Sequence, residues 1–123
     1  MSEKVVLVAE DDEDLVTIYR NLLEHSGFRV LVASTGDEAL SMVRERRGKI
    51  DLVLSDIVMD GMGGRELVWR VRESYPGIRV ILASGYADQD AALQMIGEQD
   101  IAFIPKPIDF DLLLQTVRET VSG

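Results

Sequence analysis

Acidic residues and one lysine stand directly after three short apolar runs of the chain. Glu10, Asp11 and Asp12 follow the first run, Asp56 follows the second, and Lys106 follows the third. If the ends of these runs meet in the fold, the carboxylates repel one another, and such repulsion raises a pKa or requires a cation. A divalent metal ion and an ammonium group would relieve the repulsion, and together they suit the handling of a phosphoryl group.

The elements that must bring these residues together follow an alternating pattern. Five nearly continuous runs of Val, Ile, Leu and Ala alternate with segments of helical period, as expected of parallel strands that are buried on both faces. The pattern predicts an α/β, doubly wound (βα)5 fold with helices on both faces of a five-stranded parallel sheet of order 2-1-3-4-5. The predicted strands are residues 5–9, 29–33, 52–55, 79–83 and 101–104.

This strand order also predicts where a ligand would bind. In such sheets the ligand crevice opens where strands 1 and 3 separate, beyond their carboxyl ends. The residues at that point are Glu10, Asp11, Asp12 and Asp56. The fold and the charge pattern therefore predict the same site.

Signals for helices lie between the strands. Asp12 is predicted to cap the first helix rather than to bind metal, and Asp109 to cap the fifth. Thr35 and Glu38 fit a capping box that opens the second helix. A weaker fourth helix is predicted around residues 91–96. The inward stripe of the first helix is predicted to contain Leu15, Ile18, Tyr19, Leu22 and Leu23.

The composition argues against several classes of protein. The 123 residues suit one domain, 46% hydrophobic residues suffice for a core, and the absence of cysteine excludes disulfides and thiolate metal sites. The net charge of −9, from 13 Lys+Arg against 22 Asp+Glu, argues against direct nucleic-acid binding. No run is long enough for a transmembrane helix and the start is unlike a signal peptide, so we expect a cytoplasmic protein without a membrane partner.

Four motifs occur in order along the chain, and each stands at the end of a predicted strand. They are Val8-Ala9-Glu10-Asp11-Asp12-Glu13, the segment LSDIVMDGMGG at 54–64, Ala83-Ser84-Gly85, and Lys106-Pro107. Each motif alone is common, but the four together resemble the receiver domain of two-component response regulators. The resemblance covers essentially all 123 residues and implies a single receiver domain over 1–123 with a flavodoxin-like fold.

The resemblance implies a phosphorylation site with a bound metal ion. Asp56 matches the aspartate that accepts a phosphoryl group from a phosphohistidine. Asp11, Asp56 and the backbone carbonyl of Val58 match the ligands of Mg²⁺, for which Mn²⁺ can substitute. Glu10 matches the second acid of the pair. It would bind the ion through a water molecule or contact the direct ligands without touching the ion.

The same resemblance implies roles for residues of the last two motifs. Ser84 matches a hydroxyl that binds a phosphoryl oxygen, and Lys106 matches a lysine that pairs first with the acceptor carboxylate and then with the phosphoryl group. Phe103 matches an aromatic residue that changes rotamer on activation together with Ser84. The Lys106–Pro107 peptide bond is implied to be cis.

The resemblance implies that a downstream protein recognises the phosphorylated state on the face formed by the fourth helix, the fifth strand and the fifth helix. Trp69, on the third helix, is a rival contact point, although the sequence favours packing of this residue at an edge of the core. The candidate surface residues on the implied face are Met95, Ile96, Leu112 and Leu114.

The resemblance also implies the partners. A sensor histidine kinase or a histidine phosphotransfer protein supplies the phosphoryl group, and an unidentified downstream protein receives the signal. The chain would be a monomer or a weak homodimer promoted by phosphorylation. It would catalyse only its own phosphorylation and dephosphorylation, and so would not be an enzyme in the usual sense.

Two other functions remain open on the sequence. A pseudo-receiver would bind proteins without being phosphorylated, although the set Asp11, Asp56, Ser84 and Lys106 argues against it. A Mg²⁺-dependent aspartyl phosphohydrolase is the other alternative. Such enzymes usually carry a second aspartate two residues after the nucleophile, where this chain has Val58.

Overall fold

The computed structural model describes residues 3–59, 61–85 and 101–122 of the chain. Strands and helices alternate through it, as the sequence predicts. The strands are β1 (Val5–Ala9), β2 (Arg29–Ala33), β3 (Leu52–Asp56), β4 (Arg79–Ser84) and β5 (Ile101–Pro105). The helices in the described part are α1 (Glu13–His25), α2 (Gly36–Glu45), α3 (Gly64–Ser74) and α4 (Phe110–Ser122).

The five strands form one parallel sheet in the order β2-β1-β3-β4-β5. This confirms the predicted strand order and the α/β fold. Strands β3, β4 and β5 each extend one residue beyond the prediction, so that Asp56 and Ser84 lie inside strands. The helix predicted around residues 91–96 falls outside the described residues, and α4 is the fifth helix of the sequence prediction.

The sheet separates two apolar clusters, because successive side chains of a strand point to opposite faces. One face packs against α2 and α3, and the other packs against α1 and α4. Buried residues of the α2–α3 side include Leu7, Val53, Leu82, Leu40, Leu67 and Val71. Buried residues of the α1–α4 side include Val8, Leu54, Ile81, Tyr19, Leu23 and Leu113.

Side-chain caps fix where the helices begin. The Asp12 carboxylate accepts hydrogen bonds from the backbone N–H groups of Asp14 and Leu15 at 3.0 and 3.2 Å, which confirms it as the cap of α1. Asp109 caps α4 in the same way, through two backbone N–H groups. Both carboxylates also favour the positive end of the helix dipole.

The predicted capping box of α2 is only half formed. Thr35 Oγ1 accepts from the Glu38 N–H at 3.1 Å, as predicted. The Glu38 carboxylate, however, accepts from the Ser34 hydroxyl at 3.2 Å instead of returning to the backbone of Thr35. A competing hydroxyl one residue earlier in the chain therefore takes the second half of the box.

Two apolar residues lie further outside than the sequence suggests. Ile18, assigned to the inward stripe of α1, is 42% exposed. It directly precedes the buried Tyr19, and a step of one residue rotates a side chain by about 100° around the helix. Trp69, expected to pack at an edge of the core, is 63% exposed on α3.

No helix in the described ranges is both long enough and apolar enough to cross a bilayer.

Candidate phosphoryl and metal site

Glu10 and Asp56 lie side by side at the carboxyl edge of the sheet. The register of β1 and β3 ends with Ala9 opposite Ser55, so Glu10 and Asp56 are the next residues on each strand. Glu10 continues the strand geometry, since its N–H donates to the Ala33 carbonyl at 3.0 Å. Neighbouring strands are about 5 Å apart, and the two residues are only 3% and 6% exposed.

Asp11 completes a group of three carboxylates. One oxygen from each of Glu10, Asp11 and Asp56 lies within 4.8 Å of the other two, and Asp11 is exposed while its neighbours are buried. Hard divalent cations such as Mg²⁺ take carboxylate oxygens and keep several waters. The group is buried on the side of Glu10 and Asp56 and open to solvent on the side of Asp11. This arrangement fits a divalent cation that keeps part of its water shell.

The crowding changes the protonation of Glu10. Burial raises the pKa of this carboxyl from 4.5 to about 8, helped by a hydrogen bond to Asp56 and by the negative charge of Asp56. The backbone N–H of Asp12 and the charge of Lys106 act in the opposite direction and are outweighed. In the absence of a bound cation, one acid of the pair thus keeps its proton at neutral pH.

Lys106 brings the positive charge to the group. Its backbone N–H donates to the Ser84 carbonyl at 2.9 Å, which holds the start of the following loop against β4. Its Nζ forms an ion pair with Oδ1 of Asp56 and lies 4.0 Å from Oε1 of Glu10. The peptide bond after Lys106 is cis, as predicted.

The backbone of Asp11 and Asp12 holds Glu10 from the other side. Oε2 of Glu10 accepts hydrogen bonds from these two N–H groups at 3.0 and 3.1 Å. Since Oε2 is held by the backbone and Oε1 faces Lys106, the carboxyl is fixed in one orientation. Asp12 meanwhile uses its own side chain to cap α1, so Asp11 is the acid of this pair that faces the site.

Two glycines let helices approach the loop that follows Asp56. A Cβ at Gly64, the first residue of α3, would overlap the carbonyl oxygen of Asp56 and lie 3.0 Å from Cα of Ile57. A Cβ at Gly36, the first residue of α2, would overlap the carbonyl oxygen of Met62. This role of the two glycines was not predicted from the sequence, although a glycine at the first position of each helix is a visible signal of it.

Ser84 and Phe103 lie on the other side of the sheet from Glu10 and Asp56. Ser84 follows Ala83, the register partner of Asp56, and alternation turns it towards the α2–α3 side. Phe103 is half-buried and packs against the apolar cluster of that side. The structure thus brings Ser84 to the same sheet edge as the acids, while its role and that of Phe103 stay predictions.

The candidate surface residues are only partly within the described chain. Leu112 is 41% exposed and Leu114 is half-buried beside the fully buried Leu113, so both candidate residues reach the surface. Met95 and Ile96 lie outside the described residues. On α3, the Arg70 guanidinium lies 6.0 Å from the centre of the exposed Trp69 ring.

Comparison with known proteins points to one family. The model of a family described as response regulator receiver domain matches residues 6–118. Sensor kinase CckA of Brucella abortus is 35% identical over 114 residues, which cover 93% of this chain and 12% of that protein. The transcriptional regulatory protein ZraR of Klebsiella oxytoca is 36% identical over 117 residues, which cover 95% of this chain and 26% of that protein.

Solved structures agree with the sequence relatives. A response regulator receiver domain protein from Clostridium thermocellum superposes with a TM-score of 0.90 at 26% identity, covering 97% of this chain and 94% of the other. The receiver domain of hybrid histidine kinase CckA superposes with a TM-score of 0.81 at 30% identity, covering 95% and 98%. The chain spans much less than two thirds of CckA and ZraR themselves.

The two neighbouring acids Asp11 and Asp12 should respond in opposite ways to substitution. Asp11→Ala should weaken Mg²⁺ binding by at least about 10-fold, because it removes an oxygen of the acidic group. Asp12→Ala should lower the free energy of unfolding by about 1 kcal/mol through loss of the cap and should change Mg²⁺ binding much less. Calorimetric titration and urea unfolding of both variants test this, and the reverse ranking in metal affinity would contradict it.

Glu10 should make the metal-free protein less stable as the pH rises. Between pH 4.5 and about 8 the folded protein holds a proton on Glu10 that the unfolded chain has released. The unfolded chain then binds fewer protons, so the contribution of Glu10 to the free energy of unfolding falls across this window. Glu10→Gln, a neutral stand-in for the protonated acid, should gain stability relative to wild type from pH 4.5 to 8. Urea unfolding in EDTA measures this, and parallel pH profiles would refute it.

Gly64→Ala should disturb the loop that carries Asp56. The added Cβ overlaps the carbonyl oxygen of Asp56, so we expect a loss of about 1–3 kcal/mol in the free energy of unfolding together with weaker Mg²⁺ binding. Gly77→Ala is the matched control, since a Cβ there meets nothing within 4 Å; it should be neutral or stabilising by up to about 1 kcal/mol. Equal losses in the two variants would argue against the packing explanation.

Proposed function

The chain belongs to the family of response regulator receiver domains, and we propose that Asp56 accepts a phosphoryl group from the phosphohistidine of another protein. In this step a carboxylate oxygen of Asp56 forms a bond to phosphorus while the bond from phosphorus to the imidazole nitrogen breaks. The imidazole nitrogen keeps the electron pair of that bond. The product is an acyl phosphate on Asp56.

The observation that carries the proposal is the ion pair between Lys106 and Asp56 at the carboxyl edge of the sheet. Phosphoryl transfer depends mainly on alignment and on neutralising the charge that spreads over the phosphoryl oxygens. Lys106 Nζ sits against the attacking carboxylate and within 4.0 Å of Glu10. An ammonium in this position attracts the incoming phosphoryl group and can remain paired with it after transfer.

The acidic group fits Mg²⁺ as the cofactor. Asp11 and Asp56 would bind the ion with the backbone carbonyl of Val58, and Glu10 would act through water. When bound, Mg²⁺ supplies positive charge to the phosphoryl oxygens. The burial of Glu10 and Asp56 next to each other supports this assignment, because a pair of buried acids is stabilised by a nearby cation.

The phosphoryl donor that we propose is a sensor histidine kinase or a histidine phosphotransfer protein. Relatives that carry this domain include a sensor kinase and transcriptional regulatory proteins, in which the matching segment is a small part of a longer chain. The donor, the downstream protein and the oligomeric state of this chain therefore belong to the proposal. We propose action in the cytoplasm, on no substrate other than its own aspartate.

Phosphorylation would be transmitted through Ser84 and Phe103. Both side chains are on the α2–α3 side of the sheet, on strands that are direct neighbours. A movement of the Ser84 hydroxyl towards the phosphoryl group would open space for the half-buried Phe103 ring and shift an existing two-state equilibrium. We propose that the face around β5 and α4, where Leu112 is exposed, changes as a result.

Two alternatives have less support. A pseudo-receiver would not need Lys106 to be held against Asp56 or three carboxylate oxygens within 4.8 Å of each other. A phosphohydrolase would need a second acid near the nucleophile, and the residue two positions on, Val58, has an apolar side chain that is 63% exposed.

Asp56 should gain one phosphoryl group from acetyl phosphate, and only when Mg²⁺ is present. Intact-mass measurement should show a single added phosphoryl group on wild type and none on Asp56→Asn. EDTA should abolish the labelling, and Lys106→Ala should slow it.

Labelling of Asp56→Asn equal to that of wild type would refute the assignment of the acceptor. Absence of labelling from both acetyl phosphate and a phosphohistidine protein would favour the pseudo-receiver. Multiple turnovers of a small phosphomonoester would favour the phosphohydrolase.

A further inference from the structure

Tyr19 is a buried tyrosine whose hydroxyl has no hydrogen-bond partner within the described residues. The residue is only 2% exposed, in the middle of α1. A buried hydroxyl without a partner costs roughly 1–3 kcal/mol. A leucine or phenylalanine would fill the same apolar position without that cost. The presence of a hydroxyl here therefore indicates a hydrogen-bond partner nearby.

The alternation of the strands puts Tyr19 on the same side of the sheet as the two buried acids. Tyr19 packs with Val8 and Leu54 in the cluster of the α1–α4 side. Glu10 and Asp56 stand two residues after Val8 and Leu54 on the same strands, and a step of two returns a side chain to the same face. The buried acids therefore continue the surface on which the Tyr19 ring lies.

The direction of α1 favours an orientation of the Tyr19 phenol towards these acids. The helix begins at Glu13, directly beyond the carboxyl edge of the sheet, and Tyr19 lies six residues further on, about 9 Å along the axis. Long side chains in helices lean back towards the amino end, which here is the end that carries the acidic group. The electrostatics of Tyr19 are consistent with this orientation. Burial, and then the charges of Glu10 and Asp56, raise the pKa of Tyr19 above its ordinary value.

We propose that Tyr19 is a positioning residue of the acidic site, whose hydroxyl donates a hydrogen bond, through one internal water, to the Glu10 carboxyl. Oε2 of Glu10 is already held by two backbone N–H groups. Oε1 has Lys106 Nζ at 4.0 Å, and a carboxyl oxygen has two lone pairs with which to accept hydrogen bonds. The phenol would supply that donor from beneath the site, where bulk water does not reach.

The hydrogen bond has a consequence for cation binding. A donor that helps to hold the Glu10 carboxyl in place also keeps the three carboxylates of Glu10, Asp11 and Asp56 in a fixed arrangement around a cation. Groups that orient metal-binding side chains from behind contribute measurably to metal affinity. Tyr19 would thus adjust Mg²⁺ binding without touching the ion.

Tyr19→Phe removes only the hydroxyl and keeps the ring in the core. We expect it to weaken Mg²⁺ binding by roughly 10-fold in a calorimetric titration. Tyr75→Phe is the matched control, because the Tyr75 ring lies against Gly48, after the last residue of α3 and at the opposite edge of the sheet. It should leave the affinity for Mg²⁺ unchanged.

A second measurement reads the hydroxyl directly. Proton NMR of wild type should show a slowly exchanging tyrosine hydroxyl resonance that is missing in Tyr19→Phe and present in Tyr75→Phe. This resonance should move when Mg²⁺ is added, and it should also move in Glu10→Gln without metal. A hydroxyl that serves only as core filling would show neither shift.

The role of Tyr19 rests on the proposed function only in that Mg²⁺ is taken as the cofactor of the site. The outcomes of these experiments distinguish a failure of the one from a failure of the other. Wild-type Mg²⁺ affinity in Tyr19→Phe overturns the positioning role, and so does a hydroxyl resonance that is unaffected by Glu10→Gln. If wild type binds no Mg²⁺ while the resonance still moves in Glu10→Gln, the proposed function fails and the link from Tyr19 to Glu10 stands.

Discussion

The structure depends on the confinement of Glu10 and Asp56 next to each other at the buried edge of a parallel sheet. Two ionised carboxylates at this separation repel strongly where water is scarce. The chain balances them with the Lys106 ammonium against Asp56 and with a proton retained on Glu10. Added positive charge beside these acids would relieve the repulsion that remains.

The surrounding elements maintain this balance by restricting movement. The strands that carry the acids are buried on both faces, so their register fixes the separation of the carboxyls. The glycines at the starts of α2 and α3 allow both helices to touch the backbone of the segment that begins at Asp56. Because interiors are packed as densely as crystals, these close contacts leave the backbone that follows Asp56 little space in which to move.

Much of this arrangement can be predicted from the sequence. The features that could not be predicted were missed for identifiable physical reasons. Strand positions, strand order and the grouping of Glu10, Asp11 and Asp56 follow from local patterns and the rules of parallel sheets. Contacts between elements do not follow from these patterns, which is why the fit of Gly64 against Asp56 was not foreseen. The exposure of Ile18 and Trp69 was also misjudged, because periodicity identifies an apolar residue without measuring how far the neighbouring layer extends.

The division of side chains between the two faces of the sheet has an evolutionary meaning. Asp56 and Tyr19 belong to one face, while Ser84, Phe103 and the helix that carries Trp69 belong to the other. On the proposed function, substitutions among the buried acids of the first face would alter the speed and ion dependence of phosphoryl transfer, whereas substitutions at the exposed Trp69 of α3 would alter the outer surface without reaching those acids. If that function holds, selection would change the lifetime of the phosphoryl group and the outer surface of the protein through separate substitutions within a chain of 123 residues.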